Sequence, residues 1–199
     1  MTKKGLAVFD FDGTITTRDT FLDFLQFSFG KKKLFITLLR YAVQGFLYAV
    51  GIYPNYRYKE LIFSSFFKGK TPEYASSLGG KYARERIPDI CYPKALDCIA
   101  THRRNGYDLV LLTASPAFWI QHWSDEQGFE IIATQFEVKA GIYTGKILGK
   151  NCYGKEKVPR LTEKYKLSSY ENTYAYGDSK SDLYFMKLMQ HYAYKPFRA

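Results

Sequence analysis

Asp10 and Asp12 stand one residue apart where the apolar run Leu6-Ala7-Val8-Phe9 ends. Such a run reads as a central strand buried on both faces, and Gly13 lets the chain turn sharply just beyond it. In an open α/β sheet, ligands bind outside the carboxyl ends of the strands, which is where these two side chains would emerge. Carboxylates placed there can attack a substrate, move a proton or hold a cation. An Asp-rich turn after a strand is the competing reading of the pair on its own.

Three later stretches put further chemistry at the ends of comparable elements. Leu109 to Leu112 forms a second buried strand that delivers Thr113-Ala114-Ser115-Pro116, with Pro116 at the first position of a helix closing at Gly128. Thr113 then lies beside a helix N-terminus whose free N–H groups can hold phosphate, and Ser115 can cap the same helix. Tyr174-Ala175-Tyr176-Gly177 is a strand ending in Asp178, and Ser179 and Asp182 beyond it have the spacing of a capping box. Lys155 and Lys157 fall at a helix start, where lysines are ordinarily solvated surface.

In this order, the four stretches resemble the haloacid dehalogenase superfamily, and within it the phosphoserine-phosphatase-like branch. The resemblance implies an aspartyl-phosphate mechanism with Asp10 as nucleophile and Asp12 as general acid/base. It implies that the Thr113 hydroxyl, the Ala114 N–H and one lysine hold the transferring phosphoryl group. The subfamily's Lys-Val pattern selects Lys157, whereas alignment to phosphoserine phosphatases can select Lys155. Asp10, Asp178 and the backbone carbonyl of Asp12 are the implied metal ligands, an all-oxygen set that suits Mg²⁺, with Asp182 supporting them or orienting the lysine.

The elements that must position these groups follow from periodicity and breakers. The resemblance implies a Rossmann-like parallel sheet with helices on both faces, and the alternation of strands and helices independently supports an α/β fold. Residues 1–16 and 91–199 are expected to form that core, with 17–90 a helical cap inserted after the first strand. Within the cap, a helix is expected over Phe21–Phe29, capped by Asp19 or Thr20 and closed by Gly30. Further helices are expected over Tyr58–Phe67 and from Thr71 towards Arg86. In the core, a helix should run from Pro93 to Asn105, and Gln135 to Gly149 alternates like a β-hairpin. The tail from His191 reads as a short strand and a basic end.

The stretch from Leu34 to Tyr53 is long and apolar, with Thr37, Arg40, Gln44 and Tyr48 aligned along one side of a helix. Three readings are open: a membrane span, made costly by the mid-helix Arg40; a helix buried within the cap; or a helix in the membrane interface, with Lys31 to Lys33 on anionic headgroups.

Whole-chain composition limits the partners. The 199 residues suffice for a sizeable core, and 29 Lys+Arg against 19 Asp+Glu give a formal charge of +10. That balance attracts anions, although a solvated basic surface explains it equally, and no nucleic-acid-binding signature accompanies it. Cys91, Cys98 and Cys152 have no paired spacing, which points to a reducing, cytoplasmic setting without zinc, and the N-terminal stretch does not read as a signal peptide. The expected activity is Mg²⁺-dependent phosphomonoester hydrolysis. Similarity to the phosphatidylglycerophosphatase C type points to a lipid phosphate and peripheral membrane contact. Asp19 matches the offset of a substrate-binding Glu in phosphoserine phosphatases, but the cap region that should carry their Arg, around Leu61-Ile62-Phe63, is apolar. Phosphoserine or another small metabolite phosphate, transfer to an acceptor alcohol, and non-catalytic anion binding are the alternatives.

Overall fold

A computed structural model describes residues 3–198. In chain order its elements are β1 (Lys3–Phe9), α1 (Thr20–Phe29), α2 (Lys31–Arg40), α3 (Ala42–Ala49), α4 (Asn55–Phe67), α5 (Pro72–Glu85), α6 (Ile87–Ile90) and α7 (Pro93–Arg104). They continue with β2 (Asp108–Pro116), α8 (Gln121–Gln127), β3 (Phe129–Thr134), β4 (Phe136–Lys139), β5 (Ile142–Ile147), α9 (Lys157–Lys164), β6 (Tyr170–Gly177), α10 (Leu183–Met186) and β7 (His191–Tyr194). Five strands make a parallel sheet in the order β3-β2-β1-β6-β7, and β4 and β5 form a separate antiparallel hairpin. The fold is the expected Rossmann-like α/β architecture with helices on both faces.

Strand alternation assigns each face its cover. Ala7, Phe9, Leu109 and Leu111 join Ala95 and Ile99 of α7 and Trp123 of α8 on one side. Leu6, Val8, Val110 and Leu112 join Leu161 of α9 and Phe185 of α10 on the other. Because both faces are covered, β1 and β2 read in the sequence as unbroken apolar runs. The first of these clusters continues without interruption into the inserted helices through Phe24, Phe63, Phe67 and Tyr82. The hairpin packs against the same helices: Phe63 stacks on Phe136, and Glu60 accepts the Ile147 N–H.

Local signals place several helix ends as expected. Asp19 caps α1 by accepting the Leu22 N–H, Thr71 caps α5 through the Tyr74 N–H, and Gly128 closes α8 in the left-handed region at φ 76°. Two expectations fail nearby. Pro116 does not open a helix, because β2 runs through it and a short 3₁₀ turn over Ala117–Trp119 precedes α8. Ser115 therefore caps nothing; its hydroxyl is taken up by Asp12. Of the Ser179–Asp182 box only one half forms: the Asp182 carboxylate accepts the Ser179 N–H at 3.0 Å, but the Ser179 hydroxyl donates to that carboxylate at 2.6 Å instead of capping, and α10 begins only after Asp182.

Leu34 to Tyr53 is not one helix. It breaks at Tyr41 into α2 and α3, and no helix among the described residues is long and apolar enough to cross a membrane. Burial within the cap fails as well, because only Leu34 and Thr37 of these two helices are buried. Phe35, Leu39, Val43 and Phe46 face solvent, each about two-thirds exposed.

The inserted helices are pinned by an ion pair. Asp23 of α1 accepts Arg86 Nε at 2.9 Å, Arg86 Nη2 at 3.0 Å and the Tyr82 hydroxyl at 3.1 Å. Burial alone would raise the Asp23 carboxyl, but these donors outweigh it and hold its pKa below the ordinary value. The stabilisation is therefore present above the unfolded value, about 3.9, and is lost as pH falls through the lower folded one. Asp23→Ala is expected to cost about 2 kcal/mol in urea unfolding at neutral pH, because it strands a half-covered guanidinium. The difference from the parent chain should shrink below about pH 4.

Candidate active site

Three neighbouring strands end at one place. β1 lies between β2 and β6, so the residues following Phe9 and Gly177 and those ending β2 meet at the carboxyl edge of the sheet. Chain order reverses direction across β1 and β6, and such a switch point opens a crevice in sheets of this kind. The crevice is a cavity of about 250 Å³, with Asp10, Asp12, Ala114, Lys157, Asp178 and Asp182 among its walls.

Asp10 is buried at the cavity floor. Lys157 Nζ donates to its Oδ1 at 2.6 Å and to Asp182 Oδ1 at 2.7 Å, while the Thr14 hydroxyl donates to Asp10 Oδ2 at 3.1 Å. Burial pushes the Asp10 carboxyl up to about 7, against the opposing pull of the Lys157 ammonium. Burial alone would lower Lys157, but Asp10 and Asp182 outweigh it and the ammonium is held above its ordinary range. Asp182, which burial would raise, is lowered by Lys157 and Ser179. Lys157 is thus the lysine that reaches the carboxylates; Lys155 is exposed, its ammonium over the Tyr184 ring.

Asp12 points the other way, towards the inserted helices. Its Oδ1 accepts the Thr20 N–H at 2.6 Å and the Thr20 hydroxyl at 2.5 Å, and its Oδ2 accepts the Ser115 hydroxyl at 2.6 Å. Trp119 Nε1 in turn donates to the Thr20 hydroxyl. Both Asp12 carboxylate oxygens are thus engaged on the side away from Lys157. Thr113 is fully buried behind Ala114, and its hydroxyl accepts the Ser115 N–H at 3.0 Å; of the two, Ala114 lines the cavity. Asp19 also lines the cavity while capping α1, and burial and the Asp12 charge raise its carboxyl.

Asp10, Asp178 and Asp182 each offer an oxygen, and these atoms lie within 4.8 Å of one another. Carboxylate oxygens of this kind fit a hard divalent cation such as Mg²⁺, and because Asp182 already accepts from Lys157 on one oxygen and from the Ser179 N–H and hydroxyl on the other, Asp10 and Asp178 are the two with more room for it. Asp178 is raised by burial and by Asp182, opposed by Arg198, whose guanidinium donates to Asp178 and to the Gly13 carbonyl. Gly13, at φ 74°, leaves this spot open: a Cβ there would lie 2.5 Å from Asp178 Oδ2.

Sequence reasoning missed four groups at the site. Thr20 and Ser115 fix Asp12 from helix and strand positions 95 residues apart in the chain. Arg198 reaches Asp178 from the tail. Lys59 of α4 lines the cavity, where its ammonium donates to the Ala114 carbonyl at 2.8 Å. Burial lowers Lys59, with Asp12 and Asp19 opposing. A lone lysine between Tyr58 and Glu60 carries no local signal of that placement.

Ser115→Ala removes one of the bonds that aim Asp12. Turnover is expected to fall about tenfold with little change in KM. The loss should be smaller on p-nitrophenyl phosphate, whose leaving group needs little protonation, than on an alkyl phosphate; equal losses would make Ser115 merely structural.

The model of the haloacid dehalogenase-like hydrolases matches residues 7–187, and the chain belongs to that family. Protein CicA of Caulobacter vibrioides is 29% identical over 97% of this chain and 86% of its own length. A Bordetella pertussis Tohama I protein of unknown function has the same fold, with a TM-score of 0.83 and 23% identity over 96% of this chain and 89% of its own. A probable phosphoserine phosphatase from Vibrio cholerae superposes at 0.61 and is 14% identical, covering 93% of this chain and 54% of that one.

Proposed function

We propose that the chain is a Mg²⁺-dependent phosphomonoester hydrolase that works through an aspartyl-phosphate on Asp10. The observation that carries this reading is the buried Lys157 ammonium held between Asp10 and Asp182, with Asp12 turned away towards Thr20 and Ser115. That division gives two neighbouring carboxylates two roles. In this reading α1–α6 are the cap over a core of residues 1–16 and 91–199.

An Asp10 oxygen forms a bond to phosphorus as the ester P–O bond breaks, and Asp12 gives its proton to the leaving oxygen. Asp12 then takes a proton from water, whose oxygen attacks the phosphorus and returns the Asp10 carboxylate with release of inorganic phosphate. Lys157 and the Ala114 N–H hold phosphoryl oxygens, and Thr113 supports that loop from behind. Mg²⁺, held by Asp10, Asp178 and the Asp12 carbonyl, would offset the repulsion between Asp10 and the phosphate dianion. Asp182 keeps Lys157 aimed at the nucleophile.

The cavity takes a phosphate and a few further atoms, so the rest of a large substrate stays outside. Asp19 and Lys59 put one acid and one base where a small polar headgroup would sit. A lipid phosphate such as phosphatidylglycerophosphate is the favoured substrate, because the exposed apolar helices α2 and α3 adjoin the mouth through Tyr48. Phosphoserine is the second reading, favoured by Asp19 at the cavity wall.

The test is phosphate release from a panel of soluble and lipid phosphomonoesters. Turnover with Mg²⁺ that disappears on chelation and returns on adding Mg²⁺ is the expected result. Undiminished turnover in chelator would overturn the metal assignment, and undiminished phosphoserine turnover beside an inert lipid would overturn the substrate.

A further inference from the structure

We propose that α2 and α3 form a docking surface for an anionic lipid bilayer, seated in the membrane interface beside the cavity mouth. Phe35, Leu39, Val43, Phe46 and Ile52 are 65–72% exposed. Phe35 and Leu39 lie one turn apart on α2, Val43 and Phe46 on α3, and Ile52 follows just after α3, while Leu34 and Leu38 of α2 and Tyr41 at the break pack on the core. A stripe of large apolar side chains left in water next to basic residues is the pattern of a helix that lies in a membrane surface.

Charge identifies the occupant. Residues 24–59 carry six Lys and Arg and no Asp or Glu. Three of the six, Lys31 to Lys33, crowd the first turn of α2, where the helix dipole disfavours cations, so the basic potential there is larger than residue counting implies. Lys32, Lys33 and Arg40 also line a groove of about 480 Å³, and three cations there suit an anionic phosphate headgroup. Pairing with a second copy through this face would bring like charges together. An anionic bilayer supplies apolar and negative complements at once.

The surface adjoins the catalytic cavity. Tyr48 of α3 stacks on Tyr58 of α4, and both line the cavity together with Asn55. Docking through α2 and α3 would bring the mouth to the headgroup layer, so a phosphate ester could enter while its acyl chains stay in the bilayer. This last step rests on the phosphatase reading; the docking itself does not.

The experiment is vesicle flotation of the whole chain, with p-nitrophenyl phosphate turnover in Mg²⁺ read on the same samples. Vesicles of phosphatidylcholine with phosphatidylglycerol should bind it at least about tenfold more tightly than phosphatidylcholine alone, and high salt should weaken binding. A Phe35→Ser/Leu39→Ser/Val43→Ser/Phe46→Ser variant changes only exposed side chains and should lose at least about tenfold in vesicle affinity with turnover unchanged. Lys32→Glu/Arg40→Glu should lose affinity for the anionic vesicles alone. A parent chain that stays unbound with anionic vesicles, a serine variant that floats as well as the parent, or a parent dimer that the serine variant splits would each overturn the proposal. Vesicle binding by a chain that hydrolyses no ester would support the docking while removing the phosphatase reading.

Discussion

Replacing Asp10 with Asn will remove turnover from a chain that still folds. The substitution keeps shape: the amide oxygen can still accept from Lys157, the amide N–H can donate to the Thr14 hydroxyl, and Lys157 retains Asp182 as its ion-pair partner. What it removes is the anionic oxygen that bonds to phosphorus. The other carboxylates lining the cavity have partners of their own: Asp12 is committed to Thr20 and Ser115, Asp19 to the Leu22 N–H, Asp182 to Lys157 and Ser179, and Asp178 to Arg198. Loss of a covalent nucleophile takes away the whole two-step route, so the expected fall in kcat is on the order of 10⁴-fold or more. Circular dichroism and urea unfolding of the same preparation would show that the fold persists.

Lys157→Ala should produce the second largest effect, with a different signature. The ammonium is 2% exposed and satisfies two buried carboxylates, so its loss leaves Asp10 and Asp182 facing each other without a counter-charge. One consequence is catalytic: a phosphoryl oxygen loses its cationic partner, which commonly costs on the order of 10²–10³ in rate. Another is a shift in pH dependence. Asp10 is already raised by burial, and removing Lys157 takes away the largest influence that opposes the rise. The nucleophile must be ionised, so the acid limb of the kcat/KM profile should move to higher pH and part of the activity should return as pH is raised. Stability at neutral pH should fall by about 3 kcal/mol, and less at low pH where the carboxylates take up protons. A variant with reduced rate but an unmoved acid limb would show that Lys157 does not set the state of Asp10.

Much of the scaffold was legible because the parallel strands advertise themselves. β1 and β2 are covered on both faces and so appear as uninterrupted apolar runs, and the carboxylates that end β1 and β6 are conspicuous against them. Caps at Asp19, Thr71 and Gly128 are equally local, since one side chain or one φ angle decides each. The Lys155 and Lys157 pair shows where local reading stops. Both lie in one basic run, and what separates them is phase: Lys157 opens α9 facing inward, whereas Lys155 stays on the preceding turn.

The remaining misses are non-local or depend on exposure. Nothing near Ser115 says that its hydroxyl belongs to Asp12, 103 residues earlier, and nothing near Lys59 says that it reaches the Ala114 carbonyl. The α2–α3 region misled for a different reason. Apolar periodicity normally reports burial, and here the same stripe lies in water, with a break at Tyr41 that carries neither Gly nor Pro as a warning.

The most direct test of the central claim is acid-quench mass spectrometry of the protein mixed with Mg²⁺ and a substrate it turns over. The expected result is a chain carrying one phosphoryl group, mapped by peptide analysis to Asp10, released by hydroxylamine and missing from Asp10→Asn. Sustained turnover by that same Asp10→Asn variant, or a phosphoryl group mapped to another residue, would contradict it.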